Sequence, residues 1–398
     1  VTDRVVIETA EAYREAVDAL AAGTGPIAVD AERASGFRYS QRAYLIQMYR
    51  RGSGTFLFDP PAIGRFDELQ AAIGTDEWIL HAASQDLACL REVGLDPVHL
   101  FDTELAARLL GMARVGLGFV VEELLGIHLA KEHSAADWST RPLPQPWLDY
   151  AALDVELLVD LRDAMVPMLE ESGKTELAAQ EFQAELDKEA RVARAEPWRR
   201  LSGIHSVKGL RNLAVARELW LARDSLARER DIAPGRLVPD ASLTAAAKAM
   251  PETKQQLTAI KEFNGRASRS ELDRWWHAIE VGRTTTELPL SRGQGDNMPP
   301  PRAWADRNPE ADARLKRARV AIATISEERS IPIENLLTPE LVRRLAWTPP
   351  DGFEVDEIAE ALRELGARPW QVDGTAAALS AAFVEAHQSM NEADETAS

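Results

Sequence analysis

The sequence has a single cysteine, Cys89, so no disulfide can form within the chain. That scarcity points to a reducing, cytoplasmic setting. No run of about 18 apolar residues occurs, which argues against a membrane-spanning helix. The N-terminus shows no basic stretch followed by an apolar one, so no secretory signal is expected. The pattern G-x-x-x-x-G-K-[ST] is missing, which excludes a phosphate-cradling P-loop. Histidines number seven and are not clustered with the cysteine, so zinc-type ligand spacing is lacking. Aromatic residues make up 6% of the chain.

What is present fits a multidomain globular protein. The 398 residues suffice for two or three domains, with 45% hydrophobic and 28% charged residues. The net charge is −18, yet it is unevenly spread. Only in residues 196–300 do Lys and Arg outnumber Asp and Glu. A polyanion-binding surface is expected there rather than elsewhere.

Along residues 1–165, strand-like and helix-like pieces alternate. Ile27–Val29, Ala43–Tyr49 and Thr55–Asp59 read as three strands, the last two joined by the turn "RRGSG". Asp67–Ile73 has helical spacing. Trp78–Ala82 reads as a strand, and Ser84–Val93 as a helix with Ser84 as N-cap. His99–Asp102 reads as another strand, followed by a helix over Thr103–Leu110. The pattern predicts a mixed sheet covered by helices.

From Trp147 onward the chain reads as helix, with Met165–Arg194 as a connecting helix or helix pair. Leu226–Leu243 and Ile325–Leu341 resemble each other: Glu229 matches Glu328, Arg230 Arg329, Ile232 Ile331 and Leu237 Leu336. This predicts a duplicated small helical domain. The Gly- and Pro-rich stretch 287–303 reads as a linker and the stretch from His387 as a flexible tail. The expected domains are 1–195, 196–290 and 303–386.

The chemistry centres on "IAVDAE", in which Asp30 and Glu32 end an apolar strand. Residues two apart on a strand face the same way. Their carboxylates repel, and each raises the other's pKa. Asp86 lies early in the helix after "HAASQD". Tyr150 and Asp154, in "YAALD", share a helix face one turn apart. Four carboxylates meeting in one cleft need a counter-charge, and oxygen ligands select Mg²⁺ or Mn²⁺. Two such ions suit phosphoryl displacement.

In order and spacing, "VDAE", "HAASQDL" and "YAALD" resemble the three exonuclease motifs of the DEDD superfamily, in its Tyr-containing branch. The His branch would need a histidine where Asp149 stands. "DWSTRPLP" (Asp137–Pro144) is similar to ribonuclease D, and the duplicated helical units look like HRDC domains. The resemblance implies an RNase H-like (DnaQ-like) exonuclease fold, a mixed sheet with helices on both faces, followed by two all-α HRDC-like domains. It implies two divalent cations, Mg or Mn, held by Asp30, Glu32, Asp86 and Asp154, with Asp86 acting through water. Tyr150 would orient the attacking water. It further implies 3′→5′ removal of nucleotides as 5′-monophosphates from RNA with a single-stranded 3′ end, such as tRNA precursors.

Other residues have competing readings. Gln47, Trp138 and Arg141 are candidates for substrate contact, with packing as the alternative for Gln47. His81, Asp102 and Cys89 read as structural, Asp102 as a helix cap. Trp275 and Trp276 could stack on bases, but helical spacing favours a core position for at least one. Arg211, Arg217, Arg223 and Arg228 read as a solvated helix face rather than a phosphate-tracking stripe. Two rival functions are a non-catalytic RNA-binding protein on the same scaffold and a DNA 3′→5′ exonuclease, because one fold serves both polymers.

Overall fold

A computed structural model describes residues 4–129, 135–189, 195–291 and 298–397. Six strands form one sheet in the order β1-β4-β3-β2-β5-β6. They are β1 (Val6–Ile7), β2 (Ile27–Arg33), β3 (Ala43–Arg50), β4 (Gly54–Phe58), β5 (Glu77–Leu80) and β6 (His99–Asp102). The β2–β3–β4 meander is antiparallel, whereas β1, β5 and β6 run parallel to their neighbours. The sheet is therefore mixed, as the alternation of elements predicts. Strand β1 and the helix Ala10–Ala22 were not singled out from the sequence.

Two local differences bear on the site. Strand β2 continues past Val29 to Arg33, so both acidic residues lie within the strand. After β5 the expected Ser84 cap does not form. Ala83–Gln85 makes a single 3₁₀ turn, and the α-helix starts at Leu87. The corner's amides go instead to Asp102. Its carboxylate accepts Ala82 N at 3.1 Å and Ala83 N at 2.8 Å, and also caps Glu104 and Leu105 of the helix Thr103–Leu109. This four-amide role fixes the β5–β6 end of the cleft.

Helices then dominate: Gln145–Glu156, Leu158–Glu171 and Thr175–Leu186 follow in turn and pack on the sheet. The duplication is visible as geometry. Helix Leu210–Arg230 ends at Asp231 with φ 47°, and helix Pro309–Arg329 ends at Ser330 with φ 49°. A one-turn helix follows in each copy, Pro234–Leu237 and Ile333–Leu336, and then Asp240–Ala249 and Pro339–Trp347. The stretch from His387, read as a tail, continues the last helix, Pro369–Ala397. Part of the linker (292–297) and the end of the connecting helix (190–194) lie outside the described residues.

The two helical units relate differently to the sheet. The first has its own core around Trp198, Leu219, Leu243 and Trp275. The second shares one continuous core with the sheet, through residues such as Phe182, Leu315, Trp370 and Phe383. Among the described residues, no helix is long and apolar enough to cross a membrane.

Candidate active site

The site begins with the pleat of β2. Asp30 and Glu32 project from one face, and Asp30 pairs in register with Gln47 of β3. The helix Gln145–Glu156 packs across β2, β3 and β4 and brings Tyr150 and Asp154 to that face. One carboxylate oxygen each from Asp30, Glu32 and Asp154 lie within 4.8 Å of one another. Asp86 and Tyr150 line the same cavity of about 460 Å³, but Asp86 stands outside that trio. Its Oδ1 accepts Arg33 Nη2 at 3.4 Å. The strand register slips between Glu32 and Arg33. Such a β-bulge re-aims the next side chain, which lets Arg33 meet Asp86.

The electrostatics follow from crowding charge into a dry place. Burial, and then Asp30, Asp154 and Asp86, hold the Glu32 carboxyl well above its usual range. Burial raises Asp30, opposed by the Ala31 amide and Arg33. Burial and Asp30 raise Asp86 well above its ordinary value, with Arg33 pulling the other way. Asp154 is pushed up to about 7 by burial and by Asp30, against the hydrogen bond from Tyr150. Burial and the neighbouring Asp154 and Glu32 raise the Tyr150 phenol, so it stays a neutral donor. His81 is lowered to about 4, chiefly by burial, and its Nδ1 lies 2.9 Å from Thr103 Oγ1. Its imidazole is therefore uncharged at neutral pH, and it lines the same cavity.

Among the described lining residues, Arg33 is the one permanent cation facing four carboxylates. An all-oxygen donor set with this repulsion fits a hard divalent cation. Asp30, Glu32 and Asp154 would hold it, and Asp86 would serve from the edge.

The three expected substrate contacts all have partners within the protein. Gln47 is 0% exposed, and its Nε2 donates to Asp30 Oδ2 at 3.2 Å, so it orients the carboxylate from behind. Trp138 is also 0% exposed and packs against Trp147, with ring centroids 5.4 Å apart. Arg141 is a structural staple. Its Nε donates to Asp59 at 2.6 Å, and its other nitrogens donate to the carbonyls of Trp138, Thr140 and Tyr44. Trp275 is core. The four arginines form no stripe: Arg223 is buried on Asp240, Arg211 bonds Thr285 O, Arg217 pairs with Glu218 and Arg228 with Asp224. Arg33 was missed. Its position beside the motif is readable, but the bulge that aims it is not.

Known proteins resemble the chain in each of its parts. Residues 5–170 match the family model of a 3′-5′ exonuclease, 212–279 an HRDC domain and 297–383 a 3′ to 5′ exonuclease C-terminal domain. The second helical unit thus matches a different model from the first. Ribonuclease D of Pseudomonas paraeruginosa is 35% identical over 219 residues, covering 54% of this chain and 56% of that protein. The chain therefore aligns with little more than half of that relative's length. A solved protein from Bifidobacterium adolescentis is 39% identical with a TM-score of 0.87, covering 96% of this chain and 97% of that one. The solved Escherichia coli RNase D, described as an exoribonuclease involved in structured RNA processing, is 27% identical. Its TM-score is 0.68, with coverage of 92% of this chain and 98% of that one. With an exonuclease domain, an HRDC domain and a C-terminal helical unit in that order, the chain belongs to the ribonuclease D family.

Proposed function

We propose that the chain is a divalent-metal-dependent 3′→5′ exoribonuclease that removes single nucleotides as 5′-monophosphates. The observation that carries this reading is the meeting of Asp30, Glu32 and Asp154 within 4.8 Å, beside a neutral tyrosine. Bound divalent ions would supply an activated water and charge stabilisation at the phosphoryl oxygens. The protein's own groups hold and aim the reactants. Tyr150, bonded to Asp154, would orient the attacking water through its hydroxyl rather than remove its proton. Gln47 fixes Asp30, and Arg33 balances Asp86. The cavity of about 460 Å³ lies in the size range of a small-ligand site, which suits one nucleotide at a strand end better than a duplex.

The relative from Escherichia coli is described as an exoribonuclease involved in structured RNA processing. We extend that to this chain, with tRNA precursors bearing a free 3′ end as substrate. The basic balance of residues 196–300 supports the first helical unit as the RNA-facing one.

The test uses single-stranded RNA and DNA of equal sequence with Mg²⁺, Mn²⁺ or excess EDTA. The expected result is stepwise shortening of the RNA from its 3′ end, appearance of nucleoside 5′-monophosphates, and arrest by EDTA. Undiminished cleavage in chelator rejects the metal-dependent reading, and faster cleavage of DNA rejects RNA as substrate. Tyr150→Phe is expected to lower kcat about 10- to 100-fold with KM within about twofold. Steady-state kinetics decide this, and a wild-type kcat would remove the hydroxyl from the reaction.

A further inference from the structure

The loop 34–42 leaves the catalytic strand directly after Glu32 and Arg33 and returns at Ala43 to β3. On the nuclease side, Arg38 Nε donates to Ser139 Oγ at 2.8 Å. The first helical unit holds much of the remainder. Ser40 N donates to Asp231 Oδ1 at 2.8 Å, Tyr44 Oη donates to Asp231 Oδ2 at 3.3 Å, and Arg42 lies 3.7 Å from the same oxygen. The Ala233 amide donates to Phe37 O at 2.9 Å. Arg236 donates to Gly36 O at 2.7 Å and lies 3.8 Å from the centre of the Phe37 ring. Tyr39 donates to Asp224 at 3.0 Å.

The held loop shapes a hollow of about 190 Å³, lined by Glu32, Arg33, Ser35, Gly36 and Phe37 among others. It adjoins the catalytic cavity and shares Glu32 and Arg33 with it. The duplication isolates what the carboxylate adds. Ser330 ends the equivalent helix of the second copy with nearly the same φ as Asp231, 49° against 47°. A carboxylate is therefore not required to end this helix. Asp231 does something that Ser330 does not: its partners Ser40 and Arg42 lie in the loop whose Ser35, Gly36 and Phe37 line the hollow beside Glu32, and Tyr44 lies two residues beyond that loop.

We propose that Asp231 is a positioning residue for the RNA end. By fixing the loop 34–42 from the first helical unit, it holds the wall of the hollow through which the strand reaches Glu32. This rests on the exoribonuclease reading. It gives the helical unit a part in forming the cleft itself, apart from any RNA contact on its own surface.

The test is Asp231→Gly in the full chain. Glycine adopts positive φ freely, so the helix end survives and only the carboxylate is lost. Expected are a wild-type melting temperature, amide exchange at Ser40 faster by about tenfold or more, and KM for single-stranded RNA raised about tenfold with kcat within about twofold. Asp231→Asn keeps an oxygen for the Ser40 amide and is expected to recover most of the wild-type KM. An active enzyme with unchanged KM in the glycine variant overturns the proposal, and so does unchanged exchange at Ser40. A KM defect that tracks a lowered melting temperature in both variants also overturns it, leaving Asp231 a merely structural role. A wild-type chain that does not cut RNA instead defeats the functional reading itself.

Discussion

Asp154→Asn is expected to lower kcat on RNA by at least about a thousandfold and, without divalent ions, to make the protein more stable. The first effect follows from removing one of the three converging carboxylates. The second follows from its pKa. Asp154 sits at about 7 in the folded chain, raised by burial and by Asp30. Unfolded, it returns to about 3.9. Between those values the folded state keeps a proton that the unfolded state has released, so metal-free stability falls as pH rises from about 4 to 7. The residue is partly exposed, so the penalty at pH 8 is on the order of 2 kcal/mol rather than the full shift. Asparagine carries no such penalty. Thermal melts in EDTA should therefore show the variant above wild type at pH 8 and close to it near pH 4. Mg²⁺ should raise the wild-type melting temperature selectively. Its affinity should increase with pH through 7, because bound metal displaces protons. A variant less stable than wild type at pH 8 in EDTA would refute the buried-charge account. A variant that cuts RNA at the wild-type rate would refute the site.

The other large effect lies at the joint with the second helical unit. Glu181, 5% exposed, accepts Arg368 Nε at 2.5 Å, Arg368 Nη2 at 2.7 Å and Trp370 Nε1 at 2.7 Å. These contacts join the helix Thr175–Leu186 to the second helical unit. Arg368→Ala should destabilise the protein by about 3–5 kcal/mol, because it strands a buried carboxylate. The double substitution Glu181→Leu with Arg368→Met should cost clearly less than Arg368→Ala alone, since no charge is left behind. Urea unfolding measures both. If the single and double variants lose equal stability, the penalty is lost packing rather than an orphaned charge.

How much of this was legible in the sequence depends on the range of the interaction. Asp30 and Glu32 could be placed on one face because strand alternation is local. Tyr150 and Asp154 could be paired because a helix repeats every turn. The convergence of the two pairs came from the motif resemblance, not from spacing. Gln47 could be read as substrate contact or as packing, though its setting offered a signal for the second. A single amide inside the apolar run of β3 marks a central strand covered on both faces, where a polar group needs a buried partner. The pairing of Arg33 with Asp86 depends on a slipped register, and no pattern in the chain announces that slip. Asp102 was legible as a cap for its own helix, but its hold on Ala82 and Ala83 depends on two strands lying side by side. The repeated helical unit was readable because four matched residues kept their spacing. That its two copies attach so differently was not, since attachment is decided by the surface each copy meets.

That difference bears on how such a chain can change over generations. The last unit and the sheet have one interior, so an altered side chain on either side must be answered at once on the other. The first unit has an interior of its own, touched from the nuclease domain by Tyr39, and grips a surface loop through that ring and a few polar handles. Of the two appendages, it alone can be traded or retuned piecemeal, and the loop it grips lines a hollow beside the catalytic cleft. A lineage could thereby shift which RNA ends it prefers while leaving the carboxylate trio untouched.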